Sequence, residues 1–169
     1  MRDGVPNTGF VSITGRIKEL IITAGGENVA PVLIEETMKA AMPALSNCMV
    51  IGDKRKYLSI LFCLQVVIDE TTGVASNKLT GVALQTSKDI GSNAVTTEEV
   101  KTCEKWKKYF DDGMTAANKK AISRAQRVQY WTLLDTDFTE VGGELTPTLK
   151  LKRSVTVAKY ADVIEGIYA

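Results

Sequence analysis

Residues 15–31 read GRIKELIITAGGENVAP, and this stretch decides how the fold begins. The apolar run over residues 20–23 is typical of a short strand. Gly25 and Gly26 predict a turn, because glycine adopts backbone conformations with positive φ at no steric cost. Proline is favoured at the first helical position, so Pro31 marks the start of a helix. The helix should end before Pro43, and its predicted apolar face consists of Leu33, Ile34, Met38, Ala41 and Met42.

On either side of this stretch, the hydrophobic pattern predicts further strands. Upstream, residues 10–14 alternate in the manner of a strand. Downstream, residues 48–53 and 57–67 predict two strands, and the charged turn between them favours an antiparallel hairpin. A later strand is predicted over residues 128–134.

Two later regions have helical spacing. An apolar stripe from Cys103 to Ala125 indicates one long helix, or two helices broken near Gly113. Trp106 lies in this stripe and is predicted to be a core residue, as is Trp131, whereas the lysines at 105–108 are predicted to form a solvated face. At the end of the chain, Ser154 is placed to cap a final helix. The apolar stripe of that helix consists of Val157, Tyr160, Ala161, Ile164 and Tyr168.

The order of these elements predicts an α+β fold. It consists of an antiparallel sheet of about three strands flanked by helices and preceded by a short hairpin. The chain has 169 residues, which favours one domain. Residues 69–95 are polar and carry only a weak apolar pattern, so they are predicted to be an insertion.

The composition excludes several kinds of function. Lys plus Arg is 21 and Asp plus Glu is 20, a balance that predicts no nucleic-acid partner. The chain has no histidine, which excludes a Ser-His-Asp triad, a Cys-His pair and a histidine general base. Its three cysteines lack metal-ligand spacing, so no metal site is expected. No apolar run is long enough to span a bilayer, and the first residues lack the apolar core of a signal peptide.

A second notable stretch, residues 145–153, reads LTPTLKLKR. Together with residues 15–31 it resembles two motifs of the adenylate-forming enzymes, in the same order and at the same spacing. These are the hinge motif and the lysine-bearing loop near the carboxyl end. Both variants most resemble the long-chain and very-long-chain acyl-CoA synthetases of the bubblegum type. The resemblance begins at about Gly9 and covers only the carboxyl-terminal lid of that family.

The resemblance implies roles for residues of the first motif. Arg16 matches an arginine that contacts the nucleotide ribose, although a solvated turn arginine is the plain alternative. Lys18 matches the hinge about which the lid rotates between the two half-reactions. Gly25 matches the glycine beside which the CoA pantetheine passes, with Gly26 and Glu27 as weaker matches. A glycine required only by the turn is an equal alternative for Gly25.

Lys150 matches the catalytic lysine of adenylation. The reaction brings a carboxylate against the α-phosphate of ATP, and a mobile cation neutralises the charge that builds there. Leu149 replaces a glycine found in short-chain relatives, a departure that long-chain members share. Lys152 and Arg153 are expected either to meet CoA phosphates or to lie in water.

The family's phosphate, adenine and ribose motifs are missing from the chain. The resemblance therefore implies an excised lid. Residues 1–18 would end a large N-terminal adenylation domain and include the hinge, and residues 19–169 would form the lid. That domain would be the partner and would bind most of the ATP, Mg²⁺ and fatty acid, while CoA crosses the lid. Alone, the chain is expected to be inactive. A cytoplasmic location is expected, with peripheral contact at the endoplasmic reticulum or another membrane left open.

Two other readings remain at this point. The chain could be a free-standing module, derived from the ligase lid, that binds CoA, a nucleotide or a protein without catalysis. It could also be a structural protein that only descends from the ligase fold, because a fold does not by itself fix a function.

Overall fold

The computed structural model of the protein describes residues 19–169. These begin with a short antiparallel hairpin of β1 (Ile21–Ile22) and β2 (Asn28–Val29), followed by α1 (Pro31–Ala41). The turn around the paired glycines and the helix starting at Pro31 are therefore confirmed. The strand predicted over residues 10–14 lies outside the described residues.

A three-stranded sheet forms the centre of the fold, in the order β3-β4-β7. Its strands are β3 (Leu45–Ile51), β4 (Leu58–Leu64) and β7 (Val128–Leu133). β3 and β4 pair antiparallel across a short turn, as predicted. β7 instead runs parallel to β4, so the sheet is mixed and the expectation of a wholly antiparallel sheet is wrong. A long connection through several helices separates β4 from β7, and such a crossover returns a strand in the same direction.

Both faces of the sheet are covered, which explains why β4 reads as a continuous apolar run. Every β4 residue is buried. Side chains alternate between the two faces of a strand, so Ile60 and Phe62 enter one core while Leu61 and Cys63 enter the other. The first core includes residues of α1 and the long helix α4 (Glu104–Asn118), and the second includes Ile164 of the last helix.

The buried face of α1 differs from the predicted apolar stripe. Glu35 is buried, with 8% of its surface exposed, while Leu33 and Ala41 are exposed. Pro31, Glu35 and Met38 follow one another at helical spacing and face the core. A carboxylate therefore occupies the centre of a core-facing helix.

The polar segment over residues 69–95 has regular structure of its own. β5 (Val66–Ile68) pairs antiparallel with β6 (Ala75–Leu79), and α2 (Gly81–Asp89) and α3 (Thr97–Lys101) follow. The indole nitrogen of the fully buried Trp106 donates to Ser87 Oγ at 3.3 Å, which fixes α2 to the first core. Whether this segment is an insertion relative to the family stays a prediction.

The long helix α4 runs through Gly113 without a break, so the alternative of two helices is wrong, and it ends at Asn118 rather than near Ala125. A short 3-10 helix over Arg124–Gln126 covers the end of the predicted stripe. The side-chain amide of Asn118 both donates to and accepts from the backbone of Val128, at 2.8 and 2.9 Å. Trp106 packs in the core as predicted, and Lys107 and Lys108 on the exposed face pair with Asp111 and Asp112.

The chain ends in two short helices rather than one. α5 (Arg153–Lys159) and α6 (Ala161–Tyr168) meet at Tyr160. Ser154 lies inside α5 and caps nothing, since Lys152 is the residue before the helix, so that prediction is wrong. Val157 is exposed, whereas Ile164 is buried in the second core. Among residues 19–169, no helix has the length and apolar character needed to cross a membrane.

Candidate functional site

The paired glycines lie at the exposed tip of the β1–β2 hairpin. Thr23 closes the turn: its amide donates to Glu27 O at 3.0 Å, and its carbonyl accepts from the Gly26 amide at 2.9 Å. The Glu27 amide in turn donates to Thr23 Oγ1 at 3.2 Å. The turn is thus fixed by its own residues, while Gly25, Gly26 and Glu27 remain open to solvent.

The two glycines have different structural requirements. Gly26 has φ of 82°, a conformation that L side chains rarely adopt. Gly25 has no positive φ, and a Cβ built on it would meet only Thr23 Oγ1, at 3.9 Å. Within residues 19–169, the turn therefore requires glycine at position 26 but not at position 25.

Lys150 lies on a small closed loop over residues 146–150. The Thr146 amide donates to Lys150 O at 2.8 Å, and the Lys150 amide donates to Thr146 Oγ1 at 3.0 Å. The Leu149 amide donates to Thr146 O at 2.8 Å. The backbone carrying the lysine is therefore fixed, while its side chain is exposed and forms no ion pair with residues 19–169.

Leu149 adopts the left-handed backbone conformation, with φ of 64°, and is 70% exposed. A non-glycine residue in this conformation is strained by about 1–2 kcal/mol. By the resemblance to the adenylate-forming enzymes, short-chain relatives carry glycine at this position. The loop geometry that glycine would adopt without strain is thus maintained here with leucine.

Arg153 does not lie in water, which corrects one of the two expectations for it. Its guanidinium forms a bidentate ion pair with the Glu35 carboxylate, at 2.7 and 3.1 Å. Glu35 Oε1 also accepts the backbone amide of Val50 at 2.8 Å. Burial raises the pKa of Glu35, although the Arg153 guanidinium and the Val50 amide lower it in part. Lys152, by contrast, is exposed.

A second buried carboxylate supports the same segment from the other side. Glu144 is 1% exposed and accepts from Lys159 Nζ at 2.6 Å and from the Tyr160 hydroxyl at 3.0 Å. Burial alone would raise its pKa, but these donors and the Thr139 amide outweigh burial, and the pKa lies below its ordinary value. The Glu144 backbone carbonyl accepts the Lys152 amide at 2.7 Å.

The predicted site residues are only partly brought together. Arg16 and Lys18 lie outside the described residues. Within residues 19–169, no direct hydrogen bond joins the glycine turn to the Lys150 loop. The glycine turn and the Lys150 loop are connected through α1, which follows the turn and carries Glu35, the ion-pair partner of Arg153. No group of three His, Cys, Asp or Glu side chains in this part of the chain could hold a metal ion.

Glu35 is the residue of this site that the sequence analysis missed. The signal was present, because Glu35 is spaced by four and three residues from Pro31 and Met38 on the buried face of α1. An acidic residue in such a register indicates a buried partner of opposite charge.

A comparison against protein families agrees with the fold and with the part of the first motif that begins at residue 18. A family model described as AMP-binding enzyme C-terminal domain matches residues 18–129. The chain belongs to the AMP-binding enzyme C-terminal domain family. The resemblance to adenylate-forming enzymes is thereby confirmed.

Curated relatives extend the match beyond the family model to nearly the whole domain. A chicken protein named long-chain-fatty-acid–CoA ligase ACSBG2 is 45% identical over 163 residues, which cover 95% of this chain and 21% of the chicken protein. The human ligase ACSBG1 is 44% identical over 162 residues, covering 95% and 22%. The domain thus spans about a fifth of the length of these relatives.

Solved structures share the fold of this C-terminal domain. The adenylation domain of a carboxylate reductase from Mycobacterium chelonae superposes with a TM-score of 0.66 at 20% identity, over 92% of this chain and 20% of that one. The corresponding domain from Segniliparus rugosus gives a TM-score of 0.63 at 20% identity, with the same coverage. These likenesses confirm the α+β fold of the family.

Proposed function

We propose that the chain is the lid of a long-chain-fatty-acid–CoA ligase and that Lys150 is its adenylation lysine. The observation that carries the proposal is the Lys150 loop. Its backbone is closed by Thr146, while the ammonium stays exposed and unpaired within residues 19–169. No carboxylate within residues 19–169 engages this cation, which leaves it available to an anionic substrate. The relatives that match the chain across this loop are named long-chain-fatty-acid–CoA ligases, and we take the proposed reaction from those names.

In the first half-reaction, a carboxylate oxygen of the fatty acid attacks the α-phosphorus of ATP. The bond from that phosphorus to the bridging oxygen breaks, and pyrophosphate leaves with the electron pair. Negative charge builds on the phosphoryl oxygens and repels the incoming carboxylate. An ammonium placed between the two groups lowers this barrier, and a loop of fixed shape places it without ordering the backbone at the moment of reaction.

In the second half-reaction, the CoA thiol releases its proton to water and the sulfur bonds to the acyl carbon. The bond from that carbon to the phosphate oxygen breaks, and AMP leaves with the electron pair. We assign Gly25, Gly26 and Glu27 to the path of the pantetheine arm. This assignment is supported at Gly25, where neither the backbone conformation nor neighbouring side chains within residues 19–169 require glycine. A group from outside the domain supplies a reason for the missing side chain.

The remaining assignments concern the rest of the ligase. We place the hinge at Lys18 and a nucleotide contact at Arg16, at the junction between residues 1–18 and the lid over residues 19–169. ATP, Mg²⁺ and the fatty acid bind mainly to the N-terminal adenylation domain of the same protein, where Mg²⁺ neutralises phosphate charge. CoA meets the lid. Catalysis takes place in the cytoplasm, and the chain alone forms no acyl-CoA.

The test uses the ligase that carries this domain, with the two half-reactions measured separately. Lys150→Ala should slow pyrophosphate exchange by about 10²- to 10³-fold, because it removes the positioned charge. It should largely spare thioester formation from ready-made palmitoyl-adenylate. The control is Lys152→Ala, which removes a second exposed lysine of the same segment. Its backbone amide still donates to the Glu144 carbonyl after the substitution. Equal losses in both half-reactions, or none, would refute the role of Lys150.

A further inference from the structure

We propose that Glu35 and Arg153 are a positioning pair that sets where Lys150 stands relative to α1 and β3. The inference rests on the proposed role of Lys150 and adds residues that make no contact with substrate. Lys150 and Arg153 lie three positions apart, so whatever holds the guanidinium holds the end of the lysine loop.

The pair joins three elements at one point. Arg153 is the first residue of α5, Glu35 lies in the middle of α1, and the Glu35 carboxylate also accepts the Val50 amide of β3. The side chains of Arg153 and Glu35 are 17% and 11% exposed. A bidentate guanidinium–carboxylate contact fixes orientation as well as distance, because two parallel bonds resist rotation.

Stability alone is a weak reason for such a pair. Removing two charges from water costs about as much as their attraction returns, and hydrophobic pairs of similar size often stabilise a fold equally well. The Arg153 pair also leaves a cost uncompensated, because Nε is buried without a hydrogen-bond partner in residues 19–169. The ion pair fixes the relative orientation of its two side chains, whereas a pair of methionines would not.

Apolar packing holds the flanks of the Lys150 loop, because Leu145 is buried in the second core and Leu151 packs against it. Within residues 19–169 that core includes no residue of α1, so it does not fix the loop relative to this helix. A cavity of about 130 Å³ is lined by residues of both, among them Val32 and Lys39 of α1 and Leu149 and Leu151 of the loop segment. The hydrogen bonds inside the loop fix its shape but not its distance from α1. On the α1 side of the loop, the Glu35–Arg153 contact makes this connection.

The test replaces both partners together, as Glu35→Met with Arg153→Met, in the ligase that carries the domain. The melting temperature should fall moderately, because the buried Val50 amide loses its acceptor, but the domain should still fold. Pyrophosphate exchange should slow by about 10- to 100-fold, since a misplacement of about 1 Å can have such an effect. Thioester formation from supplied palmitoyl-adenylate should stay within about threefold of the wild type. Arg153→Lys, which keeps the charge but loses the bidentate geometry, should give the same split to a smaller degree.

The matched control is Glu165→Gln, which breaks the exposed ion pair of Glu165 with Arg55 and leaves the hydrogen bonds of Glu35 and Arg153 intact. It should leave both half-reactions unchanged. Adding Lys150→Ala to the methionine pair should cost much less than Lys150→Ala costs in the wild type, because the lysine is already misplaced.

Two outcomes overturn the inference. The first is a folded methionine pair with wild-type pyrophosphate exchange, and the second is an equal loss in both half-reactions. If the methionine pair does not fold, Arg153→Lys decides by the same criteria. Failure of the proposed function is recognised separately, because Lys150→Ala would then have no selective effect in the wild-type background.

Discussion

Gly113 of α4 lies directly against Met42, just past the end of α1. A Cβ built on Gly113 would stand 2.3 Å from Met42 Cγ and 2.5 Å from its sulfur, and Met42 is fully buried. The missing side chain therefore allows the two helices to approach. Gly113 does not mark a helix break, since α4 passes through it with regular geometry.

Gly113→Ala should destabilise the domain by about 1–2 kcal/mol, although alanine is the better helix former by about 1 kcal/mol. Overpacking of a filled core typically costs about 1–3 kcal/mol, which exceeds the gain in propensity. The control is Gly166→Ala in α6, where a Cβ would meet nothing within 4 Å, so that it should stabilise by up to about 1 kcal/mol. Urea unfolding measures both, and a stabilising Gly113→Ala would contradict the packing argument.

The strain at Leu149 should reverse the usual ranking of glycine and alanine. At φ of 64°, alanine keeps a strain of about 1–2 kcal/mol that glycine relieves. Leu149→Gly should therefore be more stable than Leu149→Ala by about 1 kcal/mol. At Thr148, which has no positive φ, the glycine variant should be the less stable of the two. Thermal unfolding of the four variants gives the comparison, and the same order at both positions would disprove the strain.

The two glycines of the β1–β2 turn should respond differently. Gly26→Ala should cost about 1 kcal/mol of stability because of its positive φ, whereas Gly25→Ala should change stability by less than about 0.5 kcal/mol.

In the full ligase, Gly25→Leu should slow thioester formation more than pyrophosphate exchange, since a branched side chain would obstruct the pantetheine arm. If instead both rates fall together, the substitution disturbs the turn rather than a path for CoA.

The stability of the domain should depend on pH through Glu144. Because its pKa in the folded chain lies below the ordinary value of 4.5, the unfolded chain binds the proton more readily. Ionised Glu144 therefore stabilises the fold above about pH 4.5, and this contribution is lost as the pH falls through the lowered pKa. Glu144→Gln should lower the free energy of unfolding by about 2 kcal/mol at pH 7, with a smaller difference from the wild type in acid.

Urea unfolding between about pH 3 and pH 8 tests this dependence on Glu144. The control is Glu140→Gln, an exposed carboxylate on the same turn-rich stretch, which should follow the wild type at every pH. A Glu144→Gln deficit that is equal at all pH values would show that the carboxylate acts by packing and not by charge.

The sequence alone predicted the elements whose causes are local. Pro31 sets the start of α1 because its ring favours the first helical turn, and the paired glycines predict the turn that precedes it. The hairpin of β3 and β4 follows from two apolar runs with a short charged turn between them. Lys150 was singled out because its neighbours in the sequence resemble a motif of the adenylate-forming enzymes; the matched family model covers residues 18–129, so the role of Lys150 stays a prediction.

Tertiary structure decided what depends on partners distant in the chain. The direction of β7 follows from the helical crossover before it. The length and composition of the strand do not indicate that direction. Local signals also misled at Ser154, a suitable capping residue that lies inside α5, because helix ends depend on the contacts that hold each segment. At Arg153, the sequence analysis expected CoA phosphates or water and did not foresee the ion pair with Glu35. The partner of a guanidinium depends on which groups lie near it in space, and Glu35 is adjacent only after folding brings the start of α5 next to α1.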